Sequence, residues 1–492
     1  MERRGFLKAG LAAACAGASA AGTRPHLLIL MSDQHRGDWT HAAGNAALIT
    51  PHMDRLAAGG IRFRHAYSST PTCTPARSAL LTGMSPWKHG LLGYGAVAPT
   101  LPVELPRLLR DAGYYTCGIG KMHYHSQRAA HGFQQLLLDE SGREESPDFR
   151  SDYRSWFYSE APTLNPDATG IDWNGYDAKP YALPERLHPT AWIGDTAVRF
   201  LEEYQKPEPF FLKVSFERPH SPYDPPRRWW DRYEKAALPQ ANVGAWAAGY
   251  APRSDAGPAP WHGDLGKDQV RLSRQGYAGS VSFVDEQFGR ILDALKKRGW
   301  LENTLVVFLA DHGDMLGDHN LWRKSYAYEG SARIPMIIHW PAKIRGGQVA
   351  EHPVEIRDVL PTLLEAAGVA IPAAVDGKSL LRIASDPKAP WREWIDLEHD
   401  VCYAAENHWN ALTDGKKKYI FHAMTGQEQL FDLAADPGEL RDLSAESTWT
   451  AELALWRGRM VKELESRGPA WVKDGKLQLR VKSQLHSPNY PV

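Results

Sequence analysis

The sequence predicts an α/β fold: a large mixed, mostly parallel sheet flanked by helices, with a smaller α+β subdomain at the C-terminal end. Three observations predict it. Four short apolar runs each end in polar or ionisable residues, and segments of helical periodicity separate them. After about residue 380 the pattern shortens into strand-like pieces divided by turn residues. Short continuous apolar runs fit strands buried on both faces, and their alternation with helices is the pattern of a doubly wound sheet.

Taken in order, the first strand is read over Leu27–Met31, running into Ser32-Asp33-Gln34. The second covers Tyr114–Ile119 and leads to Gly120-Lys121-Met122-His123. The third, Phe210–Phe216, passes through Glu217-Arg218-Pro219 to His220, and the fourth, Thr304–Ala310, stops at Asp311-His312-Gly313-Asp314. Helices are predicted over Glu104–Ala112, Thr190–Tyr204 and Gly276–Arg298, the last carrying Val281, Phe283, Val284, Phe288, Ile291 and Leu295. Residues 140–265 hold seven tryptophans and many Pro, Asp and Tyr with little periodicity, and are read mostly as long insertions around the mouth of a crevice. Lys418–His422 is a strand of the C-terminal subdomain. Ligand sites of open α/β sheets lie outside the carboxyl ends of the strands, so the four polar endings are expected to converge.

With 492 residues and 43% apolar side chains the chain can bury a large core. Its 57 Lys and Arg nearly balance 58 Asp and Glu, which excludes a global field for nucleic acid or an anionic membrane surface. Any anionic substrate needs a local site. The N-terminus reads Met1-Glu2-Arg3-Arg4-Gly5-Phe6-Leu7-Lys8, then Ala/Gly-rich sequence and Ala18-Ser19-Ala20. This predicts a twin-arginine export signal over residues 1–22, hence a periplasmic or extracellular protein. Leu11-Ala12-Ala13-Ala14-Cys15 resembles a lipobox and leaves a lipoprotein open. No later run reaches the roughly 18 apolar residues of a membrane span, so no integral membrane segment is expected. The catalytic domain is placed at 23–380 and the subdomain at 381–492. Of the cysteines at 15, 73, 117 and 402, the first is lost or lipidated on processing; Cys117 and Cys402 either pair or remain core thiols.

The segment Pro71-Thr72-Cys73-Thr74-Pro75-Ala76-Arg77-Ser78-Ala79-Leu80-Leu81-Thr82-Gly83 is the most informative. Pro75 suits a first helical turn and Gly83 a C-terminal cap. Cys73 thus lies at a helix N-terminus, where free N–H groups favour an anion, and Arg77 follows one turn on. This segment resembles the signature of the formylglycine-dependent (type I) sulfatases of the alkaline phosphatase superfamily, Cys-x-Pro-x-Arg followed by small residues and Leu-Thr-Gly. The resemblance implies an alkaline phosphatase-like fold and oxidation of Cys73 to formylglycine by a maturation enzyme. One hydroxyl of the hydrated aldehyde would attack sulfur, and the other, on losing its proton, would expel sulfate. A serine would instead be left as a stable sulfate ester.

Asp33, Gln34, Asp311 and His312 offer oxygen and imidazole ligands for one divalent cation beside Cys73. Where the family has two consecutive acidic residues after the first strand, this chain has Asp33-Gln34, one charge fewer. Calcium is the expected ion; manganese, magnesium and zinc stay open. Such a cation lowers the pKa of the hydrated aldehyde and polarises an ester oxygen. Gly120-Lys121-Met122-His123, Arg218-Pro219-His220 and the stretch from Leu316 through Trp322-Arg323-Lys324 resemble three further sulfatase segments. By that resemblance Lys121 and Lys324 bind sulfate oxygens, with Arg77 among the catalytic residues. His220 or Lys324 protonates the leaving oxygen, and His123 accepts the second hydroxyl proton.

The expected substrate is a sulfated small molecule or glycan, with a sulfated carbohydrate preferred. A phosphonate monoester or phosphodiester hydrolase of the same superfamily is the nearest alternative, and an exported, non-catalytic binder of anionic glycans is the alternative of another class. Trp156, Trp173, Trp192, Trp229, Trp230, Trp246 and Trp261 include candidate sugar platforms, and Arg227-Arg228 is either a second anion contact or a solvated turn.

Overall fold

A computed structural model describes residues 24–254 and 259–491. The export signal over 1–22, with Cys15, lies outside the described residues. Eight strands form the main sheet: β1 (His26–Asp33), β2 (Ile61–Tyr67), β3 (Tyr115–Gly120), β4 (Gln135–Leu138), β5 (Phe210–Pro219), β6 (Thr304–Ala310), β7 (Met336–His339) and β8 (Gln348–Glu355). Their order is β4-β3-β5-β1-β6-β7-β2-β8. β1 lies at the centre, parallel to β5 and β6, while β7 runs antiparallel to β6 and β2, so the sheet is mixed but mostly parallel.

Burial on both faces explains the unbroken apolar runs. Leu27, Ile29 and Met31 of β1 point into one core cluster, and Leu28 and Leu30 into the other. The first face is covered by helices Cys73–Thr82, Leu105–Asp111 and Val359–Ala367, which contribute Leu80, Leu109 and Leu363. The second is covered by Pro189–Glu203 and Lys267–Lys297, which contribute Ile193, Leu201, Phe288 and Ile291. The long helix starts nine residues before the Gly276 predicted from periodicity, since 276 minus 267 is 9. Gly276 is interior to it, where a side chain would collide with Tyr223. The sequence marked four of the eight strands; β2, with arginines at 62 and 64, and the edge strand β8 have charged residues among their apolar ones, while β4 and β7 are only four residues long.

A separate antiparallel sheet follows, β9 (Ile395–His399), β10 (Trp409–Thr413), β11 (Lys417–His422) and β12 (Glu428–Asp432), ordered β12-β11-β10-β9. Leu397, Ala411, Ile420 and Phe431 pack against Tyr67, Met315 and Tyr326 of the larger unit. Helix Thr450–Leu464 seals the other face with Trp456 and Met460 against Tyr419 and Leu430. Cys73, Cys117 and Cys402 are all free thiols. No helix among the described residues is long and apolar enough to cross a membrane.

Candidate active site

The parallel register of β1 and β6 pairs Ser32 with Ala310, so Asp33 and Asp311 leave the sheet side by side. The ligand atoms of Asp33, Cys73, Asp311 and His312, all buried, lie within 4.8 Å of one another. His312 Nε2 is 3.1 Å from Cys73 Sγ, 3.8 Å from Asp33 Oδ1 and 3.7 Å from Asp311 Oδ1. Its Nδ1 lies 2.9 Å from the Gly313 carbonyl, and an N–H there leaves the Nε2 lone pair facing the carboxylates. Two carboxylates, one imidazole nitrogen and one sulfur aimed at a common point are a donor set that fits a divalent cation. Gln34, at φ 62°, donates its amide N–H to Asp314 at 2.5 Å, and its Oε1 accepts from Lys324 at 2.6 Å.

Cys73 opens a helix whose ten residues are all buried, and Gly83 ends it in the left-handed region at φ 66°. Arg77, one turn on, is the keystone of the cluster. Its Nε lies 2.9 Å from Asp311, Nη2 3.1 Å from Asp33, and Nη1 donates to the Lys121 carbonyl at 2.6 Å and Ser215 Oγ at 3.0 Å. Lys121 Nζ reaches Asp33 at 2.5 Å. Burial opposes charge on Asp33, yet Lys121, His220, Arg77 and His312 together hold its carboxyl well below the usual range. Burial and Asp33 push the Cys73 thiol up, but Lys324, Lys121 and His312 outweigh them and bring it down to about 7.

The four strand endings do converge. Gly120, at φ 90°, permits a close approach of backbone, because a side chain there would collide with the Ser215 carbonyl. That contact sets where Lys121 and His123 emerge. Glu140, which follows β4, accepts the backbone N–H groups of Met122 and His123 at 2.9 and 3.0 Å. His220 Nδ1 faces the Ser221 carbonyl at 2.8 Å, and its Nε2 lies 2.7 Å from Lys324 Nζ. Burial first, and then Lys324, keep His220 well below its ordinary pKa; burial and then Arg143 do the same for His123. Lys324 is itself lowered by burial.

The residues given catalytic or metal-binding roles in the sequence thus lie together in one buried cluster. Three neighbours were missed: Glu140, Asp314 and Arg143, whose Nη1 is 3.3 Å from both ring nitrogens of His123. Asp314, although part of the Asp311–Asp314 ending, carried no assigned role; it also accepts from Tyr223 at 2.6 Å. The tryptophans mostly have structural partners: Trp192 is buried, Trp229 donates to Glu286, and Trp246 donates to the Glu439 carbonyl. Arg228 pairs with Glu185 and Glu286 on the surface, the solvated alternative for that turn.

A family model described as sulfatase matches residues 25–369, and one described as the C-terminal part of N-sulphoglucosamine sulphohydrolase matches 317–465. The chain is 35% identical over 471 residues to an arylsulfatase of Clostridium perfringens, covering 92% of this chain and 97% of that one. It is 27% identical over 489 residues to an N-acetylglucosamine-6-O-sulfatase of Bacteroides thetaiotaomicron, covering 85% and 82%. Its fold matches the crystal structure of a phosphonate monoester hydrolase of Agrobacterium radiobacter with a TM-score of 0.77 at 24% identity, over 93% of this chain and 100% of that one. The fold is that of the alkaline phosphatase superfamily, and the chain belongs to the sulfatase family, as a hydrolase of sulfate esters.

Proposed function

We propose that this enzyme removes sulfate from a sulfated carbohydrate, using a formylglycine made from Cys73 and one divalent cation held by Asp33, Gln34, Asp311 and His312, with the side chain at 73 beside them. The observation that carries this reading is the placement of Cys73 Sγ in one buried group with Asp33, Asp311 and His312. The cation supplies Lewis acidity, and the hydrated aldehyde supplies one hydroxyl to attack sulfur and a second to expel sulfate. Calcium suits the hard oxygen donors best; manganese, magnesium or zinc is the alternative.

The protein's own groups then divide the work. Arg77 fixes both metal-facing carboxylates and offsets their charge. Lys121 and Lys324 face the sulfate oxygens. Lys324, backed by neutral His220, holds a proton at the departing ester oxygen, where negative charge grows as the S–O bond breaks. His123, kept neutral, has a lone pair for the proton of the second hydroxyl. The carbohydrate reading takes support from the N-acetylglucosamine-6-O-sulfatase relative. Export through a twin-arginine signal over residues 1–22 is proposed from the order of its basic, apolar and small residues.

The test combines peptide mass spectra across Cys73 with hydrolysis of 4-nitrophenyl sulfate, a phosphonate monoester and a phosphodiester. Conversion of the thiol to an aldehyde, with sulfate hydrolysed fastest, is the expected result. Intact Cys73 after expression with a competent maturation system, and no hydrolysis, would overturn the mechanism in favour of a non-catalytic glycan binder. The aldehyde with faster phosphoryl turnover would make the enzyme a phosphonate monoester or phosphodiester hydrolase.

A further inference from the structure

The groups that face the ester are nearly closed off. Lys121, His123, His220 and Lys324 are between 0% and 7% exposed. The remainder of a substrate must leave past partly exposed residues that touch them. Two such residues meet His123. Arg143 is half-buried with its Nη1 3.3 Å from both imidazole nitrogens, and Tyr94, 51% exposed, meets the same ring edge-on at 6.0 Å between centroids.

Among the described residues, Arg143 is less committed than the other arginines around the site, its guanidinium being paired only with the His123 imidazole. Arg77 is fixed between Asp33 and Asp311. Arg323 is committed to Tyr176 Oη and the Ala259 carbonyl, with Tyr176 and Tyr403 against its guanidinium. For Arg143 the imidazole is the partner, and no carboxylate among the described residues forms an ion pair with it.

The turn that carries Arg143 is built firmly. Gly142 stands at φ 68°, where a side chain would collide with the Trp173 ring. Two residues earlier Glu140 ties the same turn to the backbone at His123. A guanidinium held in place, half-exposed and without a carboxylate is suited to a carboxylate or sulfate arriving from solvent, which it can take in bidentate fashion. An exposed phenol ring beside it offers an apolar face and a polar tip.

We propose that Arg143 and Tyr94 form a recognition subsite for a second anionic group of the substrate, a carboxylate or further sulfate on the same or the adjoining sugar ring. The inference rests on the sulfated-carbohydrate reading above. It makes the preferred substrate a polyanionic glycan, not a lone sulfate monoester.

The test compares kcat/KM of wild type, Arg143→Ala, Arg143→Lys and Tyr94→Ala on four compounds: 4-nitrophenyl sulfate, a neutral saccharide monosulfate, a saccharide disulfate and a sulfated uronide. Calorimetric binding of the three saccharides to a Cys73→Ala protein, with and without Arg143→Ala, gives the same comparison without turnover. Arg143→Ala is expected to lower the ratio of doubly anionic to singly anionic substrate by roughly tenfold or more in kcat/KM or affinity. Arg143→Lys should restore part of it, and the disulfate and the uronide separate sulfate from carboxylate as the recognised group. Equal losses on all compounds would mean that Arg143 acts only through His123, and would overturn the proposal. Absence of hydrolysis with a preserved binding preference would count against the catalytic reading alone.

Discussion

Nζ of Lys324 lies 2.7 Å from Nε2 of His220, whose Nδ1 is turned to the Ser221 carbonyl at 2.8 Å. With its proton on Nδ1, His220 can only accept at Nε2, so the ammonium of Lys324 is the donor of the pair. Burial and this ammonium together keep the imidazole neutral. Another N–H of Lys324 is spent on Gln34, which leaves one to meet an ester oxygen.

Replacing Lys324 with Ala is expected to reduce kcat by about 10²–10⁴-fold on a saccharide sulfate. The loss should be smaller on 4-nitrophenyl sulfate, whose leaving oxygen needs less help from a proton. Steady-state rates on both compounds check this, and equal losses would refute the acid role.

Cys73→Ser tests the need for two hydroxyls. A seryl oxygen can attack sulfur while the alcohol departs with a proton from Lys324, but no second hydroxyl remains to expel the sulfate. Intact mass spectrometry should therefore show a sulfated protein that forms once and persists. Sustained turnover by this variant would contradict the mechanism.

Arg77 touches Asp33 and Asp311 with all three side chains fully buried. Arg77→Met leaves buried carboxylates facing one another, and should cost roughly 3–5 kcal/mol in urea denaturation at neutral pH. A chelator should deepen the loss, since the cation would otherwise offset the same charges. A variant as stable as wild type in the presence of chelator would show that Lys121 alone suffices.

Lys213 on β5 is buried beneath the site, and desolvation, with Arg77 adding to it, lowers its pKa from 10.5 to about 7. Because the unfolded chain binds this proton more tightly, its contribution makes stability rise with pH between about 7 and 10.5, and level off outside that window. Lys213→Met should therefore stabilise the protein by a few kcal/mol, on the order of several °C in Tm, at or below neutral pH. The gain should fade as pH climbs toward 10.5. Thermal melts across this range check the sign, and a gain independent of pH would show that folding leaves the Lys213 pKa unshifted.

The chemistry was more legible in the sequence than the architecture was. Cys73, Arg77, Lys121 and His123 sit in short motifs whose spacing survives without the fold, and Asp33 and Asp311 end strands that burial on both faces makes conspicuous. β2 and β8 carry charged or polar residues between their apolar ones, so they read as loops until their neighbours are known. Arg143 lies twenty residues beyond His123, as 143 minus 123 gives, in a stretch without periodicity. Only the return of the chain through β4 brings the two together. The start of the Lys267–Lys297 helix was hidden for a related reason: its first turns are partly exposed, and Gly276 looked like a boundary when it is a packing contact.

The complete burial of the Cys73–Thr82 helix imposes an order of events. Once Leu80 and Ala76 have packed against the sheet, Cys73 is about 1% exposed and out of reach of another protein's active site. On the mechanism proposed here, oxidation of that thiol has to precede closure of the core, while the segment is still an extended peptide. The finished enzyme would then carry in its interior a record of its own synthesis, one that no later encounter with a modifying enzyme could rewrite without unfolding it.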